Sequence, residues 1–191
     1  MKRYLNIVLL CMTLSSCMGQ NRFNKSNLLL GKVYENQLVY YNQKIDDKDN
    51  YISILNFAKQ GRNQIANKAS KMIESGDFIV MEGFSPGWGK FVGLIWSDKV
   101  AYAYRKLPSK KLYITKVNLK TDDIKKATGI EPYILDKVKR WDINYISGLK
   151  GKIGMRVLDG YNFIATKVTH SEVEKDSKIE TIAFEQFVDE K

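Results

Sequence analysis

Residues 83–87 read Gly-Phe-Ser-Pro-Gly, and their G-x-S-x-G spacing is the first pattern in the chain that could do chemistry. A serine on a sharp turn after a strand can attack a carbonyl carbon, with a histidine further along the chain to take its proton. His170, the single histidine, lies downstream of Ser85. The acids between them that fit this order are Asp136, Asp142 and Asp159. A small serine hydrolase is therefore one hypothesis.

The residue after Ser85 argues against that hypothesis. In such a turn, the backbone N–H of the residue that follows the nucleophile helps to stabilise the oxyanion. Here that residue is Pro86, which has no N–H. Loss of one such donor lowers the rate about a hundredfold or more. The residues after Pro86 also lead into another strand pattern rather than a helix, so a tight Pro-Gly turn is the simpler interpretation.

A basic and aromatic segment indicates a different chemistry, the binding of an anionic partner. Residues 102–113 place four cations around a predicted turn, with tyrosines on both arms. Cations interleaved with aromatic rings are typical of surfaces that bind anionic polymers. Lysines at a hairpin tip also discourage edge pairing of sheets, which leaves a structural interpretation open. The binding hypothesis rests on Arg105, Lys106, Lys110 and Lys111.

Trp88 is a further candidate binding residue. It lies in the glycine-rich turn after Ser85, close to the aromatic ring of Phe84. A turn with several glycines and large aromatic side chains has more apolar surface than a hairpin needs, which favours contact with a ligand or a partner. The alternative is that Trp88 packs back onto the sheet.

The first 17 residues form a targeting pattern. Lys2 and Arg3 precede an apolar run over residues 5–14, and Leu-Ser-Ser-Cys ends the segment at Cys17. These features are typical of a secretory signal peptide, and the run is far shorter than the roughly 20 residues that span a bilayer. The Leu-Ser-Ser-Cys sequence resembles the lipobox of bacterial lipoproteins. The resemblance implies that residues 1–16 are removed and that Cys17 carries a lipid such as palmitate.

The same resemblance implies a place in the cell envelope. Lipoproteins retained in the inner membrane often have an aspartate after the lipidated cysteine, and Met18 in that position favours the outer membrane. The chain then divides into a signal peptide (1–16), a lipidated cysteine with a polar tether (17–27) and one domain (28–191).

The charge of the chain favours acidic partners. The sequence has 31 basic and 21 acidic residues, and removal of Lys2 and Arg3 leaves 29 against 21, a net charge of +8. In the envelope, anionic lipid headgroups, acidic glycans or an acidic protein face are the partners that such a charge attracts, and nucleic acid is not expected. The cations of the helices predicted after residue 121 are expected to face solvent elsewhere.

The sequence contains few of the residues that form a metal site or a catalytic dyad. Cys11 leaves with the signal peptide and lipid occupies Cys17, so one histidine remains without a cysteine partner. The acidic run at residues 46–49 lacks the glycine and distal glutamate of a calcium loop. Glu82 is the acid that could do acid–base work beside the Ser85 turn, but no spacing indicates its partner. We therefore predict no metal site, no catalytic residue and no cofactor.

The elements that must position these residues follow from hydrophobic periodicity. Residues 28–41 are apolar and aromatic and predict one or two strands. Residues 49–75 carry apolar side chains at steps of three and four, interrupted by Arg62, and predict a helix that ends at Gly76. Gly61 is a point where this helix could be split, and residues 51–57 also fit a strand.

From residue 78 onwards, apolar residues recur at a period close to two, which is typical of strands. Strands are predicted over residues 78–84, 91–96, 100–105, 112–119, 153–158, 161–169 and 179–184. A short helix is predicted to Thr128, and a second after Pro132 with Ile134, Val138, Trp141 and Tyr145 on one face and Trp141 in the core. Grouped strands and grouped helices predict an α+β fold, an antiparallel sheet of about six to eight strands with two or three helices packed on it.

The sequence as a whole favours binding over catalysis. We expect a lipid-anchored envelope protein of one of two kinds, which the sequence does not separate. One is a surface module that recognises an anionic envelope component, and the other is an immunity or inhibitor protein that neutralises an acidic-faced protein partner. The alternative is a small serine hydrolase that uses Ser85.

Overall fold

The computed structural model of this chain describes residues 25–43, 48–85, 90–106, 111–119, 123–148, 161–170 and 177–186. These residues form a six-stranded sheet in which every paired strand is antiparallel, with helices packed against it. The structure confirms the predicted α+β class.

Two helices precede the sheet, α1 (residues 25–43) and α2 (Lys48–Ser75). The strands are β1 (Phe78–Ser85), β2 (Lys90–Trp96), β3 (Ala101–Lys106), β4 (Tyr113–Val117), β5 (Tyr161–Thr169) and β6 (Lys178–Gln186). Three short helices lie between β4 and β5 in the chain, namely α3 (Asp123–Thr128), α4 (Pro132–Lys139) and α5 (Ile143–Gly148). The order across the sheet is β4-β3-β2-β1-β5-β6, so β4 and β6 are its edges.

Both faces of the sheet are covered. Side chains alternate along a strand, so Val80 and its even-numbered neighbours in β1 pack on α1 and α2, whereas Ile79 and Met81 pack on α3, α4 and α5. Residues 78–83 are consequently buried without interruption, because a central strand between two helical layers has no solvent side. The described residues therefore form three layers, with a hydrophobic core on each side of the sheet.

The prediction of strands over residues 28–41 is wrong, because this segment belongs to helix α1. Its buried side chains follow a helical spacing and comprise Leu29, Leu30, Val33, Gln37 and Tyr41. The aromatic and apolar composition favoured strands, but packing of this one face on the sheet selects the helix. Residues 25–27 of the predicted tether also belong to α1, and residues 17–24 lie outside the described residues.

Helix α2 is continuous from Lys48 to Ser75, so Gly61 does not split it and residues 51–57 are not a strand. Gly61 is buried against Leu112, and a Cβ at this position would lie 2.8 Å from a Leu112 methyl carbon. The glycine therefore serves the close approach of α2 to the chain that enters β4.

The helix predicted after Pro132 is interrupted. It ends at Lys139, and Trp141 has a left-handed backbone with φ of 53°. Asp142 then accepts a hydrogen bond from the Tyr145 N–H and starts α5. Trp141 packs on the core as predicted, but Tyr145 is exposed. The described residues thus contain five helices rather than two or three.

The remaining strand predictions agree with the structure to within two residues at each end, except that residues 153–158 lie outside the described part. Within that part, no helix is long and apolar enough to cross a membrane.

Candidate functional site

The structure separates Ser85 from His170. Ser85 ends β1 and is buried. His170 follows β5, and its backbone N–H donates to Asp77 Oδ1 at 2.8 Å, immediately before β1 begins. A strand rises about 3.3 Å per residue, so the two residues are separated by on the order of 25 Å along β1. The proposed serine and histidine therefore do not form a catalytic pair.

Glu82 lies in the core and has charged and polar partners. Arg62 Nη2 donates to Glu82 Oε2 at 2.8 Å, and the Tyr104 hydroxyl donates to Glu82 Oε1 at 2.8 Å. The Arg62 and Glu82 side chains are 6% and 2% exposed. Arg62 also donates to the Leu30 carbonyl oxygen at 3.1 Å and to Gln37 Oε1 at 2.7 Å. The buried charges are thus paired and hydrogen-bonded, as burial of an ion pair requires.

Gln37 extends this arrangement to the other half of the sheet. Its Nε2 donates to Thr166 Oγ1 at 3.2 Å, and Thr181 Oγ1 donates to Asn36 Oδ1 at 2.6 Å. A hydroxyl has one proton, so in the 3.0 Å contact between the two threonines Thr166 is the donor. We call Gln37, Arg62, Glu82, Tyr104 and Thr166 the Glu82 network.

The Glu82 network joins α1 and α2 to β1, β3 and β5. Arg62 and Glu82 line neither of the two clefts described below, whereas Tyr104 lines the smaller one. Two features of the sequence pointed to the Glu82 network. Arg62 was the one interruption in the apolar stripe of α2, and Glu82 was the one charged residue in an otherwise apolar strand. Opposite charges at two interior positions indicate a buried pair, which sequence reasoning did not assign.

The environment of Tyr104 changes its acidity. Burial raises the pKa of Tyr104 well above its ordinary value, the negative charge of Glu82 raises it further, and the positive charge of Arg62 opposes both effects. The folded protein therefore keeps this hydroxyl protonated at a pH where the unfolded tyrosine, with a pKa of about 10, ionises.

We expect Tyr104→Phe to lower the free energy of unfolding by about 1–3 kcal/mol at neutral pH, because Glu82 Oε1 loses its donor. The contribution of a raised pKa is complete below the unfolded value and is lost as pH rises towards the folded value. The difference between wild type and variant should therefore shrink above about pH 10. Urea unfolding on both sides of that pH measures it, and a difference independent of pH would contradict the assignment.

The predicted binding residues lie on two separate surfaces. Arg105 and Lys106 are consecutive in β3, so their side chains point to opposite faces of the sheet. Lys106 is paired with Phe91 at the end of the sheet where β1 ends and β2 begins, and Lys111 precedes β4 at the same end. Trp88 and Lys110 lie outside the described residues, so their binding roles stay predictions.

Arg105 lines a cleft of about 400 Å³ between α3 and the edge strand β4. Its neighbour across the strands is Tyr113, which is 54% exposed, and Lys126 contributes from α3. A second cleft of about 640 Å³ lies beside the end of β4 and shares Lys116, Val117 and Asn118 with the first. The two clefts therefore adjoin, and together we call them the basic groove.

The basic groove carries more cations than acids. Its cations are Lys99, Arg105, Lys116, Lys126, Lys139 and Lys167, and its acids are Asp77, Asp98 and Asp123. None of these cations forms an ion pair with a carboxylate among the residues that the structure describes. The groove thus has a net positive charge, available to a ligand.

Sequence reasoning found one of these six cations as a binding residue, Arg105. It expected the cations of the later helices to face solvent elsewhere, whereas Lys126 and Lys139 line the groove. The six residues come from five elements and one turn that are distant in the sequence, so no local pattern brings them together.

Comparisons of this chain with protein families, with curated proteins and with solved structures find no match. The fold and the site define an α+β protein with helices on both faces of an antiparallel sheet and a basic groove beside one sheet edge.

Proposed function

We propose that this protein is a lipid-anchored binding module of the bacterial cell envelope and that its basic groove binds an anionic partner. The observation that carries the proposal is the convergence of six cations on one groove without carboxylate partners among the described residues. The anchor is inferred from the lipobox-like segment that ends at Cys17.

Clustering matters more than total charge. Exposed charges more than about 8–10 Å apart are largely screened at physiological salt, so the field of the groove comes from cations that line the same cleft, such as Arg105 and Lys126, more than from the full set of six. Like charges in one groove also repel each other, and a bound anion offsets that repulsion. Phosphate and carboxylate groups fit the fork of Arg105 and the ammonium groups around it.

Binding is favoured over catalysis because the groups that a hydrolase requires lie apart. Ser85 and His170 are at opposite ends of β1, and Glu82 is engaged in the buried network. The groove offers cations and tyrosine, which bind anions, and the Ser97 hydroxyl in its larger cleft accepts a hydrogen bond from the Lys99 N–H at 3.4 Å.

The test is binding to a soluble acidic glycan, heparin, by the form of the protein that begins at Met18. This form retains every described residue and removes the lipid from the measurement. The double variant Arg105→Glu with Lys126→Glu should bind heparin about tenfold more weakly, and the wild-type affinity should fall steeply with salt.

The matched control is Lys68→Glu with Lys71→Glu, which changes the net charge equally on the exposed side of α2. We expect the control to retain most of the affinity. An equal loss of heparin affinity in the two double variants would mean that heparin binding depends on net charge alone. The groove would then not be the binding site.

A further inference from the structure

The larger cleft of the basic groove lies at the end of the sheet from which the chain leads back to Cys17. Ser26, near the start of α1, donates from Oγ to Glu74 Oε1 at 2.5 Å. Glu74 is in the last turn of α2, three residues before Asp77, which lines the larger cleft. Cys17 is nine residues before Ser26, and nine residues span at most about 30 Å.

The strand register assigns the other cleft residues to this same end. Phe78 pairs with Val168, and Ala101 pairs with Val117, so the start of β1 and the β2–β3 turn lie beside the ends of β5 and β4. We call this the anchored end of the sheet. Lys106 and Lys111 lie at the opposite end, about one strand length or 20–25 Å away.

We propose that the larger cleft docks on anionic phospholipid headgroups of the bilayer that holds the lipid of Cys17. The proposal rests on the proposed function and names the partner of the same groove. The cations that would contact the headgroups are Lys99, Lys116, Lys139 and Lys167.

Two observations favour this partner over a free glycan or an acidic protein. The first is charge complementarity, since four lysines face two acids, Asp77 and Asp98, around the cleft. The second is reach, because the short segment after Cys17 keeps the anchored end within about 30 Å of the membrane surface. A tether of this length holds the cleft at a high effective concentration of headgroups, so individually weak contacts suffice.

The experiment measures co-sedimentation of the form beginning at Met18 with phosphatidylcholine vesicles that contain or lack phosphatidylglycerol. We expect binding to require phosphatidylglycerol. Lys139→Glu with Lys167→Glu should reduce partitioning at least about tenfold, because each lysine near an anionic surface contributes roughly a fivefold gain. Far-UV circular dichroism establishes that the variant is folded.

The matched control is Lys106→Glu with Lys111→Glu, an equal change of charge at the opposite end of the sheet. Docking through the anchored end predicts that this control keeps most of the vesicle binding. Equal loss in the two double variants would overturn the proposed orientation.

A second readout uses the full lipidated protein in the same vesicles. Amine-reactive labelling followed by mass spectrometry should show Lys139 and Lys167 protected in phosphatidylglycerol vesicles relative to pure phosphatidylcholine, with Lys111 equally labelled in both. A second outcome is that the soluble form binds heparin through the groove but does not bind phosphatidylglycerol vesicles, and that the lysine labelling of the lipidated protein is unchanged. In that case the headgroup proposal is wrong and the proposed function stands. Failure of heparin binding and vesicle binding by the soluble form, together with unchanged labelling of the lipidated protein, would remove the proposed function itself.

Discussion

Replacement of Arg62 by methionine is expected to lower the free energy of unfolding by about 3–5 kcal/mol. The loss is large because the Glu82 carboxylate stays buried without its counter-ion, while Gln37 Oε1 and the Leu30 carbonyl oxygen each lose a donor. Methionine fills much of the space of the aliphatic part of arginine, so the measured change reports the lost charge and hydrogen bonds more than a cavity. Urea unfolding monitored by circular dichroism gives the value.

The control is Arg140→Met. Arg140 pairs with Asp136 at 3.0 Å on an exposed helix surface, where its side chain is 71% exposed. Such a pair contributes about 0.5 kcal/mol or less, so the same substitution there should change stability little. Adding Glu82→Gln to Arg62→Met removes the buried negative charge and should recover part of the loss. If Arg62→Met is no more destabilising than Arg140→Met, the Glu82 network does not hold the two helices on the sheet.

Gly93→Ala is expected to lower the free energy of unfolding by about 3 kcal/mol, at the upper end of the range for overpacking. Gly93 in β2 pairs with Tyr104 in β3, and the Tyr104 ring lies over the glycine. A Cβ at Gly93 would approach ring carbons closer than 3.0 Å and the hydroxyl oxygen to 2.6 Å. The ring cannot yield without moving its hydroxyl away from Glu82, so the steric and hydrogen-bond losses add.

The matched substitution is Gly31→Ala in α1, where a Cβ would meet nothing within 4 Å. Alanine in the interior of a helix is favoured over glycine by about 0.5–1 kcal/mol, so this variant should be slightly more stable than the wild type. The two glycine-to-alanine variants should therefore shift the thermal midpoint in opposite directions. A Gly93→Ala protein with an unchanged or raised midpoint would contradict the packing of Tyr104 on Gly93.

Several elements were predictable because their signals are local. The period-two runs between residues 78 and 119 predicted β1 to β4, and the steps of three and four after residue 49 predicted α2. Helix α1 was not predictable in this way, because the composition of its segment is typical of strands. Only the packing of this segment against the sheet selects a helix. The interruption at Trp141 was also hidden, because the helical spacing of apolar residues continues past Trp141, where the backbone is left-handed and the helix has ended.

The candidate site shows the same division between local and tertiary information. The basic, aromatic segment around Arg105 was visible in the chain, but the partners of Arg105 in the groove were not. Lys126 and Lys139 come from two helices that only packing on the sheet brings to the groove, and Lys167 comes from β5, which three strands separate from β4. Strand alternation meanwhile places Lys106 on the other face, although it is next to Arg105 in sequence, and it places Lys116 on that face too, so Lys116 contributes to the groove from the sheet edge at β4.

By itself the sequence determined the α+β class and the positive charge, and it showed Arg62 and Glu82 as charged residues within apolar patterns without indicating that they pair. Local periodicity and composition carry this information, because burial and charge act residue by residue. The tertiary structure alone decided that Arg62 and Glu82 are each other's partners, that Ser85 and His170 stay apart, and that six scattered cations share one groove. These are distances between residues far apart in the chain, and strand register and helix packing set them.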